Sequence, residues 1–217
     1  MSILLAIDTC TRRASVALRD RHTLRAEMTW EAQRHESALI SARIRELMHA
    51  CAIQPNDLGA VAVALGPGSF TGVRAGLAIA KGIALVRNVP IIGATAFEIL
   101  ASAQPRSSWP MLVAIEAGRS RAAVCCYEWQ DSTLITASEW WIESWQTLLD
   151  KIEPPMWVCG ELPTEFAEQA RRRGFAVAPP AHNLRRAGFL ADLAFDRLQH
   201  GEVNDPARLA AIYPAEP

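Results

Sequence analysis

The residues best placed to do chemistry sit at the ends of two apolar runs. Asp8 closes the run Ile3 to Asp8 and is followed by Thr9 and Cys10, while Gly66-Pro67-Gly68-Ser69-Phe70-Thr71-Gly72 follows the run Leu58 to Leu65. A buried strand that ends in a glycine-rich loop and opens a helix is the geometry in which backbone amides and a helix N-terminus attract an anion. The spacing is not that of a Walker A loop, because no Lys-Ser/Thr pair follows, and Thr71 stands where a GxGxxG loop needs its third glycine. The same glycines equally suit a tight strand-to-helix turn. Glu116 ends a third apolar run, so Asp8 and Glu116 are candidates to face each other across a cleft as metal-phosphate ligands. Asp8 alone would cap its own turn.

Other chemistry finds little support. The histidines, His22, His35, His49, His182 and His200, form no HxxxH, HExxH or HxH pattern. In His35-Glu36-Ser37-Ala38-Leu39 an apolar residue occupies the place where a second imidazole would complete a metal-binding pair. Ser69 lacks the GxSxG elbow. Cys10, Cys51, Cys125, Cys126 and Cys159 are odd in number and contain no CxxC, which predicts buried or partly buried thiols rather than a disulfide framework or zinc site. No catalytic residue, metal or cofactor is assigned.

The elements that must position these residues follow from periodicity. Ile3 to Asp8 and Ala14 to Leu18 read as a strand hairpin and Thr23 to Trp30 as a third strand. His35 to Cys51 places Leu39, Ile40, Ile44, Leu47, Met48 and Cys51 at helical spacing. Leu58 to Leu65 is apolar enough to be a strand buried on both faces. A helix then runs to Val86, unusually rich in Gly and Ala, so that it either presses on its own sheet or admits another helix, in this chain or another. Pro90 to Gly93 is a strand and Thr95 to Ala103 a helix; Gln104 to Pro110 reads as a boundary. Beyond it, Leu112 to Cys126 overlays Leu4 to Leu18 at a constant offset of 108 with six identities, against roughly one expected by chance. Duplication explains this; two alanine-rich hairpins that merely look alike would too. A tryptophan-rich strand at Ser138 to Ile142, a helix near Glu143 to Lys151, a strand at Met156 to Cys159, a helix at Pro163 to Arg173 and a last helix at about Arg186 to His200 complete an α/β pattern in both halves.

Composition limits the partners. With 22 basic and 23 acidic side chains, net −1, there is no basic field to hold nucleic acid unaided. The first residues lack the positive charge and length of a secretion signal, and no window reaches the roughly 18 uncharged apolar residues of a membrane span. A cytoplasmic protein with no membrane partner is expected.

The segments LLAIDTCTRRASVAL, RHESALISARIRELM and VAVALGPGSFTGVRAGLAIAKGIAL, in that order and spacing, resemble the bacterial TsaB (YeaZ) family. The likeness is strong over residues 3 to 104 and weaker beyond, carried there by VAIEAGRSRAAVCCYEW, WVCGE and the closing Ala-Ile-Tyr-Pro. It implies a duplicated fold of the actin, sugar kinase and Hsp70 type. Its first lobe would be residues 1–104 and its second 105–217, with the helix at about 186–200 packing back on the first. It also implies a noncatalytic subunit that binds and activates TsaD, which makes threonylcarbamoyladenosine at position 37 of tRNAs reading ANN codons. The ATPase TsaE would join the assembly, tRNA would be met only through the complex, and the chain alone would form a homodimer. Carried over, the partner surface comprises His35, Leu39, Arg43, Leu47, Gly72, Arg74, Ala75, Gly76 and Ile79, so that bulk at Ala75 or Gly76 would break the pairing. Asp8, Thr9, Gly66, Gly68 and Ser69 would be a vestigial phosphate loop. Cys10 stands where the family commonly has serine, and Tyr213-Pro214-Ala215 where it has Tyr-Leu-Arg. Two other functions share the same residues: an ATP-dependent small-molecule kinase, and a metalloprotease, for which no zinc motif exists.

Overall fold

The computed structural model describes residues 2–32, 37–118 and 120–213. Contacts divide the chain into two units, one of residues 1–99 with 186–213 and one of residues 100–185 with 214–217.

In the first unit the strands β1 (Ile3–Asp8), β2 (Arg13–Arg19), β3 (Leu24–Glu31), β4 (Leu58–Ala64) and β5 (Ile91–Ala94) form one sheet in the order β3-β2-β1-β4-β5. The hairpins β1-β2 and β2-β3 are antiparallel, and β4 and β5 join in parallel. Side chains alternate across a strand. Ile3, Leu5 and Ile7 therefore share one core with Ile40, Ile44 and Met48 of α1 (Ser37–Ala50) and Leu77 and Ala80 of α2 (Phe70–Arg87). Burial on both sides explains why β1 shows no polar alternation.

The other face belongs to α6 (Ala187–Gln199), which packs on β1, β2 and β5. Arg186 at its head offers no capping side chain. The sheet supplies the cap instead: Ala187 N–H donates to Ser15 Oγ at 2.9 Å, Gly188 N–H to Glu27 Oε1 at 2.8 Å, and the Arg186 guanidinium pairs with Glu27. Two otherwise orphaned helix amides are thereby satisfied by strands far away in sequence.

The second unit contains β6 (Met111–Glu116), β7 (Arg121–Gln130), β8 (Thr133–Thr136), β10 (Trp157–Gly160) and β11 (Ala176–Val177) in the order β11-β10-β6-β7-β8, with β9 (Trp141–Ser144) also paired to β7. Read from β8, this is the order of the first sheet again. Leu112, Ala114, Ala122 and Val124 pack with Leu148 of α4 (Trp145–Lys151) and Phe166 of α5 (Thr164–Arg172). The repeat has a slip. Asp8 faces Ser15 in the first hairpin, but Glu116 faces Ala122 in the second, so the second connection is one residue shorter and the constant offset fails on the second strand.

A short α3 (Ala96–Ser102) precedes Gln104, which is buried and held by its side chain to Leu100 O, His182 O and Trp157 Nε1. Strand β9 lies three residues later than the tryptophan pattern suggests, and β8 and β11 escape it because they are too short to show a period. None of the five cysteines is in a disulfide; burial pushes the Cys159 and Cys126 thiols up, which keeps them neutral and unreactive. Among the described residues no helix is long and apolar enough to cross a membrane.

Candidate functional site

Two features of the first unit concentrate the residues singled out above: the turn that joins β4 to α2, and the face formed by α1 and α2.

At the turn, Ser69 caps α2, its Oγ accepting from Gly72 N–H at 3.3 Å. The chain leaving β1 lies against this turn. Cys10 O accepts from Ser69 N–H, and Thr9 Oγ1 donates to Gly72 O at 2.7 Å. A Cβ on Gly68 would stand 2.0 Å from Cys10 O, and one on Gly72 would stand 2.2 Å from Thr9 O. Gly66 has φ +98° and abuts Ile212 O, so it too has no room for a side chain. Asp8 is buried at the end of β1 and accepts from Cys10 N–H at 3.0 Å. Asp8, Thr9, Gly66, Gly68 and Ser69 are therefore brought together. The amides of Ser69 and Gly72 are engaged by Cys10 O and Ser69 Oγ, which packs the segment as a strand-to-helix turn. Glu116 ends β6 in the other unit and is exposed. Among the described residues no three His, Cys, Asp or Glu side chains are grouped to hold a metal.

On the helical face, His35 lies outside the described residues. Leu39 is 40% exposed and Arg43 pairs with Glu46 at 2.8 Å. Gly72, Ala75 and Ile79 are half-buried, and Arg74 is exposed. Two expected contacts point inward. Leu47 is only 6% exposed and belongs to the core, and Gly76 is buried because a Cβ there would meet Thr9 Oγ1 at 2.3 Å. Bulk at Gly76 thus disrupts β1-α2 packing rather than an outer contact.

The outward face of α2 instead carries Arg74, Ala78, Lys81 and Leu85 at helical spacing, with Gly82 open to space. Phe70, Leu85 and Val86 are 55%, 67% and 85% exposed. Beside Gly82 lies a groove of about 350 Å³ walled by Ile44, Met48, Leu58, Ile83 and Val86. At the other end of α2 the Arg74 guanidinium lies 3.6 Å from the centre of the Phe70 ring, and its Nε donates to Tyr213 Oη at 2.9 Å. The sequence reading missed Leu85 and Val86. Their signal was present: Ala80 and Ala84 fix the inward stripe, so the Leu85-Val86 pair must project.

The sequence matches the family model described as TsaD, tRNA N6-adenosine threonylcarbamoyltransferase, over residues 30–169, more than half of the chain. It is 27% identical to the tRNA threonylcarbamoyladenosine biosynthesis protein TsaB of Bacillus subtilis over 95% of this chain and 94% of that protein. To the Escherichia coli protein of the same name it is 34% identical over 52% of this chain and 50% of that one. Of solved structures, YeaZ from Pseudomonas aeruginosa superposes with a TM-score of 0.79 at 21% identity, covering 98% of this chain and 100% of that one. The ethanolamine utilization protein EutJ from Carboxydothermus hydrogenoformans superposes at 0.53 and 12% identity, over 89% and 90% of the two chains. The fold is that of the actin, sugar kinase and Hsp70 class. By these matches the chain belongs to the family of tRNA N6-adenosine threonylcarbamoyltransferase and, within it, to the TsaB (YeaZ) family.

Proposed function

We propose that this chain serves threonylcarbamoyladenosine formation on tRNA as a noncatalytic subunit. It binds TsaD through α1 and α2 and activates it, TsaD placing the threonylcarbamoyl group on N6 of adenosine 37 in tRNAs that read ANN codons. TsaE enters the same assembly, and tRNA is met through the complex. The observation that carries this reading is the α1/α2 face: an apolar groove beside Gly82, flanked by the exposed Leu85 and Val86, is surface of the kind a protein partner covers. Leu39 supports it from the chemical side, because it replaces the second imidazole of an HxxxH pair. The alternative of a kinase with its own nucleotide site is disfavoured by the glycine turn, whose Ser69 and Gly72 amides are spent internally.

Co-purification with TsaD of the same organism, followed by nucleoside analysis of tRNA modified with and without this chain, tests the reading. A stable pair and modification that depends on the added chain are expected. Modification by TsaD alone at the same rate would refute it.

A further inference from the structure

Strand β3 ends its sheet. The order β3-β2-β1-β4-β5 leaves one side of its eight residues without a partner strand among the described residues. Ala32 N–H donates to Arg12 O at 2.6 Å, so in this antiparallel pair the even-numbered residues of β3 turn their backbone groups toward β2. Those of Glu27, Thr29 and Glu31 therefore point away from the sheet, and Arg25 O, which accepts from the Cys51 thiol, does the same. Side chains divide between the two faces in the same alternation. Glu27 and Thr29 stand on the α6 side, bonded to Gly188 and Ser15. Ala26, Met28 and Trp30 are half-buried against the core that holds Ile40 and Ile44 of α1, so an apolar strip runs along the open edge.

We propose that β3 pairs antiparallel with β3 of a second copy of this chain, about a two-fold axis at Met28, joining the two sheets edge to edge. Outward-facing backbone groups bond only to outward-facing ones, so odd residues must lie opposite odd residues. Three such registers use most of the strand. With Glu27 on the axis the two Glu27 side chains oppose each other, and with Thr29 on the axis each Glu27 opposes a Glu31. Like charges directly opposite on one face repel. With Met28 on the axis Arg25 opposes Glu31 twice, Glu27 opposes Thr29, and Trp30 covers Ala26 on the core face. The charge order of β3 thus selects one self-complementary register, as a two-fold contact requires. A foreign strand would satisfy the same backbone groups but has no cause to match Arg25 and Glu31. The edge lies three strands from β4, whose Leu58 lines the groove at Gly82, so this pairing is separate from the α1/α2 face.

Sedimentation of the full chain over a range of concentrations tests this, with wild type, Arg25→Glu, Glu31→Arg and an equimolar mixture of the two variants. Wild type should approach twice 23.8 kDa as concentration rises. Each variant alone should weaken dimerisation about tenfold or more, because both attractive pairs become repulsive. The mixture should regain the wild-type affinity, since a mixed dimer restores opposite charges at both contacts. Met28→Cys, oxidised and mapped by peptide mass, should link to itself, because opposed residues of a non-hydrogen-bonded antiparallel pair lie about 4.5 Å apart, within disulfide reach. The proposal is overturned by a wild-type chain that stays monomeric, by dimers that neither charge variant weakens, or by two folded variants that fail to dimerise when mixed. The Met28→Cys arm leaves Arg25 and Glu31 in place, so absence of its link in a dimeric sample overturns the proposal even where a charge variant unfolds.

Discussion

Gly76 and Thr9 meet without room for a methyl group: a Cβ on Gly76 would lie 2.3 Å from Thr9 Oγ1, the atom that donates to Gly72 O. This contact locks the first turns of α2 onto the end of β1, and it sets the two faces of the helix apart. Six residues further along the helix, Gly82 meets nothing within 4 Å.

The two glycines should respond to alanine with opposite signs. Gly76→Ala must push Thr9 aside and should destabilise the protein by about 1–3 kcal/mol, the usual cost of overpacking. Gly82→Ala gains helix propensity without a clash and should stabilise by about 0.5–1 kcal/mol. Urea unfolding of the two variants decides the point. A loss at Gly82 equal to that at Gly76 would mean that the outward face of α2 is misassigned.

Glu27 should matter more than a surface acid. Its carboxylate accepts from Gly188 N–H and pairs with Arg186, holding the head of α6 to β3. Glu27→Ala should cost about 1–3 kcal/mol, because a helix amide and a guanidinium lose their partner together. Chemical denaturation with α6 followed by hydrogen exchange measures it. Unchanged exchange at Gly188 would contradict the capping role.

Acid should weaken the fold through two carboxylates. Backbone N–H groups of His22 and Thr23, with Arg25, hold Asp20 down from 3.8 to about 2. The Lys151 ammonium, the Thr147 hydroxyl and the Ser144 amide hold Glu143 down from 4.5 to about 2. A depressed carboxylate lends stability above its unfolded value and loses it as pH falls toward its folded one. Their contribution should therefore be constant from pH 7 to about 5 and fade between about 4.5 and 2. Urea midpoints against pH for wild type, Asp20→Asn and Glu143→Gln test this, each substitution shrinking the decline over that window. An identical acid limb in all three proteins would show that other groups control it.

Much of the architecture was legible because burial on both faces leaves strong signals. The apolar β1 and β4, the helical spacing in α1 and the breaks at Pro55 and Gly66 mark the first unit from sequence alone. The site was read less well. Small residues on α2 suggested a close helix partner, yet Gly72 and Gly76 are small for Thr9, which lies some sixty residues away in the chain. No local pattern reveals a long-range contact of that kind. The hairpin repeat was visible as six identities, whereas the one-residue slip between its copies depends on strand pairing and could not be.

The most direct measurement is the yield of threonylcarbamoyladenosine from TsaD and its donor when the added subunit is wild type, Gly82→Trp or omitted. With Gly82→Trp filling the groove while the chain keeps its melting curve, product should form with wild type and drop to the level of the omission. Equal product in all three reactions, or product from this chain without TsaD, would contradict the account.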